Sequence, residues 1–252
     1  SYYDYSEYRL GRRTRQGVSS FASMRPWHFR GLLFDALDRY LVTGDGKTID
    51  YLQGDTPVRL AGGASDTALI DGIGPGAALS YFQAPLLAGD GLVYFIDQNP
   101  QRSFEPVLRT LGTDGAVKTL LPIPRGSTLL ESPTGGVRRY TAYSTGPHEW
   151  ADLVRAGNAY QWQILPTQWP FDRWTPLRKV HGAPDAYWAI AGAQGGPEFS
   201  ITQLDLSGRV LAQGWKLRGS SVAVVAQPPS NATPSLFVAC AGLGEMGSEV
   251  VE

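Results

Sequence analysis

Apolar residues in this chain come in short runs broken by Gly, Pro, Asp or Ser, the pattern of half-buried strands rather than of amphipathic helices. One run recurs. An aromatic followed by small or β-branched apolar residues appears as Tyr40-Leu41-Val42-Thr43, Tyr94-Phe95-Ile96-Asp97, Tyr140-Thr141-Ala142-Tyr143, Tyr187-Trp188-Ala189-Ile190 and Phe237-Val238-Ala239-Cys240, at intervals of 54, 46, 47 and 50 residues. Each is preceded by a further strand-like run, at 31–36, 84–88, 127–131, 177–181 and 221–226. Others follow at 48–52, 58–61, 106–111, 116–121, 200–206 and 209–217, and a last one lies at 248–251. The pairs Asp45-Gly46, Asp90-Gly91, Asp114-Gly115 and Ser207-Gly208 stand between several of these runs. In each, glycine supplies the positive φ that a tight hairpin needs.

Three to four short antiparallel strands per repeat of about fifty residues specify a propeller blade. The expected fold is therefore all-β, a β-propeller of five blades, with six or seven partly degenerate blades as the variant. A β-sandwich would need no such period, and a β-trefoil would want three longer repeats. After Cys240 there is room for one more strand, so the segment 8–13 is expected to complete the final blade and close the ring. Composition agrees: 30 Gly and 18 Pro among 252 residues leave little room for long helices. A single cysteine excludes an internal disulfide. No apolar run approaches the ~20 residues of a membrane-spanning helix.

The second repeat carries a family likeness. Asp71-Gly72-Ile73-Gly74, Tyr81-Phe82-Gln83-Ala84-Pro85, Val93-Tyr94-Phe95-Ile96-Asp97, an arginine-bearing strand with Arg109, and Asp114-Gly115 before Val117-Lys118-Thr119-Leu120 together resemble an NHL repeat. The first repeat follows it more loosely, and the stretch from Pro100 to Phe104 is an insertion relative to the pattern. The resemblance implies a propeller that binds protein, nucleic acid or carbohydrate on one face, with a minority of relatives acting as lyases or hydrolases. A second, shorter resemblance is to the five-bladed family 43 glycoside hydrolases. Asp35 lies on the first inner strand, Leu130-Glu131-Ser132-Pro133 is similar to that family's acid-bearing segment, and Gln83-Ala84-Pro85 to its second-blade segment. It implies Asp35 and Glu131 as a base and acid pair. Leu86 stands where the family has its third acid, and Ala36 follows Asp35 in place of proline.

Other chemistry is thin. The three histidines, His28, His148 and His181, are far apart and form no metal-ligand spacing, so neither metal nor cofactor is expected. No Gly-x-Ser-x-Gly elbow anchors a nucleophile. Cys240 reads as a small buried hydrophobe. The glycine-rich stretch 71–76 lacks the Lys-Ser/Thr of a phosphate cradle and reads as a connection between blades.

Charge is uneven. The net charge is −1, yet residues 1–30 hold six arginines against Asp4 and Glu7, so this segment is +4 and the remainder −5. The domain organisation expected is a basic, tyrosine-rich arm at 1–30 followed by the propeller at 31–252. Tyr3, Tyr5, Tyr8, Arg9, Arg12 and Arg13 are the arm's candidate binding residues, suited to an acidic protein surface; nucleic acid is not expected. Trp150, Trp169 and Trp174 belong to a tryptophan-rich stretch that suits either a core between blades or a rim that stacks on sugar or protein. Asn231-Ala232-Thr233 is a glycosylation acceptor pattern. The start at Ser1 suggests export or organellar import after loss of a targeting segment. These features favour a non-catalytic scaffold that joins another protein or a larger complex. A glycoside hydrolase and a lectin-like glycan binder are the alternatives.

Overall fold

Five antiparallel sheets follow one another along the chain. The computed structural model describes residues 8–14, 17–24, 32–43, 46–53, 56–65, 67–142, 148–166, 175–179, 185–192, 198–218, 221–226, 237–241 and 248–251. A hairpin of β1 (Tyr8–Thr14) and β2 (Gly17–Met24) precedes them, the two strands pairing with each other as a small sheet of their own. The first large sheet is a meander of β3 (Leu32–Phe34), β4 (Tyr40–Val42), β5 (Thr48–Gln53) and β6 (Thr56–Gly62). The second contains β8 (Gln83–Leu87), β9 (Val93–Asn99), β10 (Glu105–Leu111) and β11 (Ala116–Pro122), with the two-residue β7 (Gly72–Ile73) added outside β11. The third is β12 (Ser127–Glu131), β13 (Val137–Thr141), β14 (Glu149–Ala156) and β15 (Ala159–Ile164). The fourth is β16 (Thr175–Lys179), β17 (Ala186–Gly192), β18 (Glu198–Asp205) and β19 (Val210–Arg218), and the last is β20 (Ser221–Ala226), β21 (Phe237–Ala241) and β22 (Ser248–Val251).

The five recurring aromatics, Tyr40, Tyr94, Tyr140, Tyr187 and Phe237, fall on β4, β9, β13, β17 and β21, the second strand of each sheet's meander. Their near-regular spacing is thus a repeat of sheets. Among the described residues the only helical pieces are two 3₁₀ turns, Gly74–Gly76 and Pro100–Arg102, and no helix is long and apolar enough to cross a membrane. The chain divides into two compact units, Ser1–Arg125 and Gly126–Glu252.

In the first unit, Leu41, Ile49, Leu60, Phe82, Val93, Phe95, Leu111 and Val117 make the core. Phe82 and Phe95 meet at 4.7 Å between ring centroids. In the second, Leu130, Tyr140, Trp150, Tyr187 and Leu204 do the same. Trp150 sits between Tyr140 and Tyr187, 5.1 Å from each. Tyr140 and Trp150 are directly opposed across β13 and β14, so both rings fall on one face of the sheet, and burying an aromatic of this size is among the largest single contributions a core receives.

Among the described residues one turn joins strands five times. In Asp35–Arg39, Ala88–Leu92, Gly112–Ala116, Ser132–Gly136 and Asp205–Arg209, the first residue's N–H donates to the fifth residue's carbonyl, and the fourth residue's N–H to the first residue's carbonyl. The fourth residue is left-handed each time: Asp38 (φ 56°), Gly91 (80°), Gly115 (82°), Gly135 (79°) and Gly208 (78°). This is the three-residue hairpin with a terminal bulge, which needs a residue tolerant of positive φ at that one place. Asn and Asp enter this region more readily than other non-glycine residues, which accommodates Asp38.

Two further elements differ from the sequence-based expectation. The stretch 71–76 is part strand, since β7 pairs with Ala116 and Val117 of β11. The third sheet gains β14 and β15 around a two-residue turn at Gly157-Asn158, where Gly157 has φ 61°.

The contrast between two turn glycines gives a direct test. A Cβ on Gly115 would fall against the Leu60 carbonyl oxygen, whereas one on Gly157 would meet nothing within 4 Å. Gly157→Ala is expected to cost about 1–2 kcal/mol, the left-handed penalty alone. Gly115→Ala adds the clash and is expected to cost about 3 kcal/mol or more. Urea denaturation of the two variants should separate them.

Candidate functional site

Charged groups gather around two arginines, one in each unit. Arg109, on β10, and Asp97, on β9, are both fully buried, 0% exposed. A bare charge in such a place is untenable, so the polar groups around it are turned toward the pair, and of the guanidinium nitrogens only Nε is left without a partner. Arg109 Nη1 donates to Asp97 Oδ2 at 2.9 Å and to the Ala78 carbonyl at 2.7 Å, while Nη2 donates to the Ile70 carbonyl at 2.9 Å and to Asp71 Oδ1 at 3.1 Å. Asp97 Oδ1 accepts the N–H groups of Ser80, Tyr81 and Gln98. Asp71 Oδ1 also accepts from the backbone and hydroxyl of Thr119. Partial burial pushes the Asp71 carboxyl up, but the Thr119 donors and Arg109 outweigh it and hold the group below the usual carboxylate range.

The second centre is Arg138, on β13. Its Nε and Nη2 grip Asp152 of β14 at 2.6 and 2.8 Å, a bidentate pair. Nη1 reaches Asp185 Oδ1 at 2.7 Å and the Tyr187 hydroxyl at 2.9 Å, and that hydroxyl donates to the Glu131 carbonyl at 3.3 Å. Burial alone would weaken the guanidinium's hold on its proton. The Asp152 and Asp185 bonds more than compensate and leave it above its ordinary value. Burial likewise raises the Tyr187 phenol, with Arg138 opposing. Asp152 and Asp185 are partly open to solvent, and the one guanidinium they share offsets one of their two charges. Arg139, beside it, pairs with Glu149 and lies over the Trp162 ring at 5.1 Å. Among the described residues no group of three His, Cys, Asp or Glu could hold a metal ion.

The residues singled out from sequence are placed as follows. Asp35 is not on the inner strand but follows β3 in the first of the five turns, buried. Its Oδ1 accepts the N–H groups of Leu37 and Arg39 at 2.9 and 3.0 Å, and its Oδ2 pairs with the Arg39 guanidinium. Asp205 repeats this arrangement on the β18–β19 turn, accepting from the N–H groups of Ser207 and Arg209 and from Arg209 Nε. Glu131 closes β12, half-buried, in the second unit, while Asp35 belongs to the first. Trp150 is 0% exposed in the core and offers no face to a ligand; Trp188 is also buried. Tyr8, Arg9, Arg12 and Arg13 lie on β1, where only the backbone is described. Cys240 lies on β21, likewise known only by its backbone, and Tyr3, Tyr5, Trp169, Trp174, His28, His181 and Asn231 lie outside the described residues. His148 is bonded through Nδ1 to the Tyr140 hydroxyl at 3.0 Å.

The pairing of Arg109 with Asp97 joins two residues that the repeat motif itself contains. The Arg138 cluster was missed from sequence, because Asp152 and Asp185 lie 14 and 47 residues away from it and share no motif.

No protein-family model matches the chain, and no curated protein sequence matches it. Solved structures do. A gluconolactonase from Xanthomonas campestris superposes with a TM-score of 0.56 at 15% identity, over 88% of this chain and 71% of that one. TolB from Acinetobacter baumannii gives 0.48 at 10% identity, over 90% of this chain and 54% of that one. A protein of unknown function from Dyadobacter fermentans gives 0.48 at 11%, over 87% and 73%. Such likeness is one of fold: the chain has the all-β, β-propeller fold.

Two outcomes test the first centre. Asp97→Ala leaves Arg109 buried without its main partner and is expected to cost about 3–5 kcal/mol in urea; removing both charges together, as Asp97→Leu with Arg109→Met, should cost less than the sum of the single changes. Asp71, with its lowered folded pKa, contributes stability that is present above its unfolded value of about 4 and is lost as pH falls through the folded one. Asp71→Asn should therefore flatten the loss of stability between neutral pH and about pH 3.

Proposed function

We propose that this chain is a binding propeller, a rigid module that presents its connecting turns to another protein. The observation that carries it is the use made of the carboxylates. Asp35 serves a turn that Asp205 builds in the same way on a different strand pair. Asp71 and Asp97 serve Arg109, and Asp152 and Asp185 serve Arg138. Acids whose oxygens are already taken up by guanidinium and backbone donors are poorly placed to exchange a proton with a substrate. Closed sheets, by contrast, hold turns at fixed angles, so a partner meets surfaces that need little ordering. We further infer that the five sheets are five blades of one ring and that β1, whose described pairing is with β2, offers its other edge to the three-stranded last sheet.

A second reading has one observation in its favour, the likeness in fold to a gluconolactonase. It makes the chain a hydrolase of sugar lactones or related sugar substrates, in the same broad class as the glycosidase alternative with Asp35 and Glu131.

One set of measurements separates the two. The purified chain is incubated with glucono-1,5-lactone and with aryl glycosides, with and without added divalent cations. Turnover above the uncatalysed rate that Glu131→Gln abolishes would replace the binding reading; no turnover, together with a stoichiometric partner on mild purification from the organism that makes it, is the expected result. Deleting residues 1–24 should lower the thermal midpoint by several degrees if that segment completes the last sheet, since one lost strand pairing is worth on the order of 1–2 kcal/mol.

A further inference from the structure

The second sheet carries two unlike ends. At one, β9 turns into β10 through Pro100–Phe104, the insertion noted in the repeat pattern. The turn is tightly built: Gln101 N–H donates to Asn99 Oδ1, Phe104 N–H to the Asn99 carbonyl at 2.9 Å, and Arg125 Nη2 to the Ser103 carbonyl at 2.9 Å. Ser103 (φ 51°) and Phe104 (φ 57°) are both left-handed. Two such residues in succession cost on the order of 1–3 kcal/mol each, and a bulky aromatic, like a β-branched residue, is ill suited to that region. Nothing in the core gains from it, because Phe104 is 52% exposed. The turn holds an aromatic ring out to solvent, flanked by the exposed Arg102 and Arg125, with Glu105 the one acid beside them.

At the opposite end, three turns meet. A Cβ on Gly91 of the β8–β9 turn would lie 3.5 Å from the Cβ of Ala36 in the β3–β4 turn, and Arg39 Nη2 donates to the Thr113 carbonyl of the β10–β11 turn at 2.6 Å. Leu37 is 61% exposed there, with Ala36 and Gly89 also exposed. Around them stand the exposed Asp38, Asp90 and Asp114, while the one arginine of the group, Arg39, is taken by Asp35.

We propose that these two ends bind each other between copies: Phe104 of one copy docks on Leu37 of the next, with Arg102 and Arg125 facing Asp38, Asp90 and Asp114. Charge complementarity selects a second copy over an unrelated partner. A copy cannot satisfy itself, because seven-residue strands separate the two ends by roughly 20 Å. The contact is heterologous, so it propagates head to tail instead of closing as a two-fold dimer. One aromatic anchor with a small rim buries far less than the ~1,200 Å² of a stable complex, so the expected dissociation constant is about 0.1–1 mM. The inference concerns self-association and does not depend on whether the chain binds another protein or turns over a lactone.

Sedimentation velocity on the full chain tests it. The weight-average mass should rise with concentration from that of one copy to twice that value or beyond by about 1 mM, and less so at high salt, which screens the rim. Phe104→Ser and Leu37→Ser, both at exposed sites and checked for fold by circular dichroism, should each weaken association at least tenfold; Arg102→Glu should weaken it while leaving Phe104 in place. Each serine variant keeps one intact end, so mixing the two should restore pairs and nothing larger. A chain that stays a single copy throughout overturns the proposal. So does association that survives either serine change, or a mixture of the variants that fails to pair.

Discussion

The buried pairing of Arg109 with Asp97 is the constraint around which the first unit is arranged. Two opposite charges removed from water gain from each other only when their remaining donors and acceptors are also met. Here the guanidinium reaches two backbone carbonyls and two carboxylates, and Asp97 accepts three N–H groups. All of these but Gln98 come from the connection between β6 and β8 or from the pair itself. A segment with little regular structure of its own is thereby fixed at Ile70, Ala78, Ser80 and Tyr81, and β8 begins in a defined place. Without the ion pair this connection would keep its β7 pairing, a few backbone hydrogen bonds and the hydrophobic contacts of Ala77, Leu79 and Phe82, but would lose the charged anchor that joins its two halves.

Arg138 shows the same physics with different residues. It sits on the second strand of its sheet instead of the third, grips an aspartate on the adjacent strand, and reaches Asp185 and Tyr187 at the start of β17 in the next sheet. One arginine ties a sheet to the connection that leads into it; the other ties a sheet to its successor. A shared position in the sequence was not needed for either solution. What the second and third sheets share is a buried arginine held by aspartates, and each meets that requirement with residues at different positions.

Strands were legible because their boundaries are written in turn chemistry. The runs at 127–131, 221–226 and 248–251 coincide with β12, β20 and β22, and most others agree within two residues. The hairpins that were missed fail for stated reasons. β14 and β15 meet at Gly157-Asn158, a valid two-residue turn signal that lies among charged and polar residues whose alternation is weak. β7 is two residues long and owes its existence to pairing with β11, which no local pattern encodes. Of the candidate site, less could be read. Asp35 was placed on the first inner strand, where the resemblance to the family 43 glycoside hydrolases implies a catalytic carboxylate. Its role is set instead by Arg39 four residues on and by the left-handed Asp38, a spacing that Asp205, Gly208 and Arg209 reproduce. The sequence held that second copy in plain view, but only the hydrogen bonds show that the two stretches are one device. Trp150 illustrates the converse: a tryptophan beside polar residues reads as surface or core with equal ease, and its 0% exposure is decided by Tyr140 on the adjacent strand and Tyr187 in the next sheet.

Function in such a fold follows from what the interior leaves over. The arginines and aspartates inside are committed to one another, and the aromatic cores fill the layers between sheets. The turns are then the only parts free to vary without disturbing that interior. Four of the five shared turns use glycine at the left-handed position and are as compact as the geometry permits. The β9–β10 turn departs from this pattern. It spans more residues, places two non-glycine residues in the left-handed region, and uses three hydrogen bonds to keep them there. Strain of that kind persists only where surrounding structure enforces it, and here the enforcement serves a ring that the fold itself does not bury.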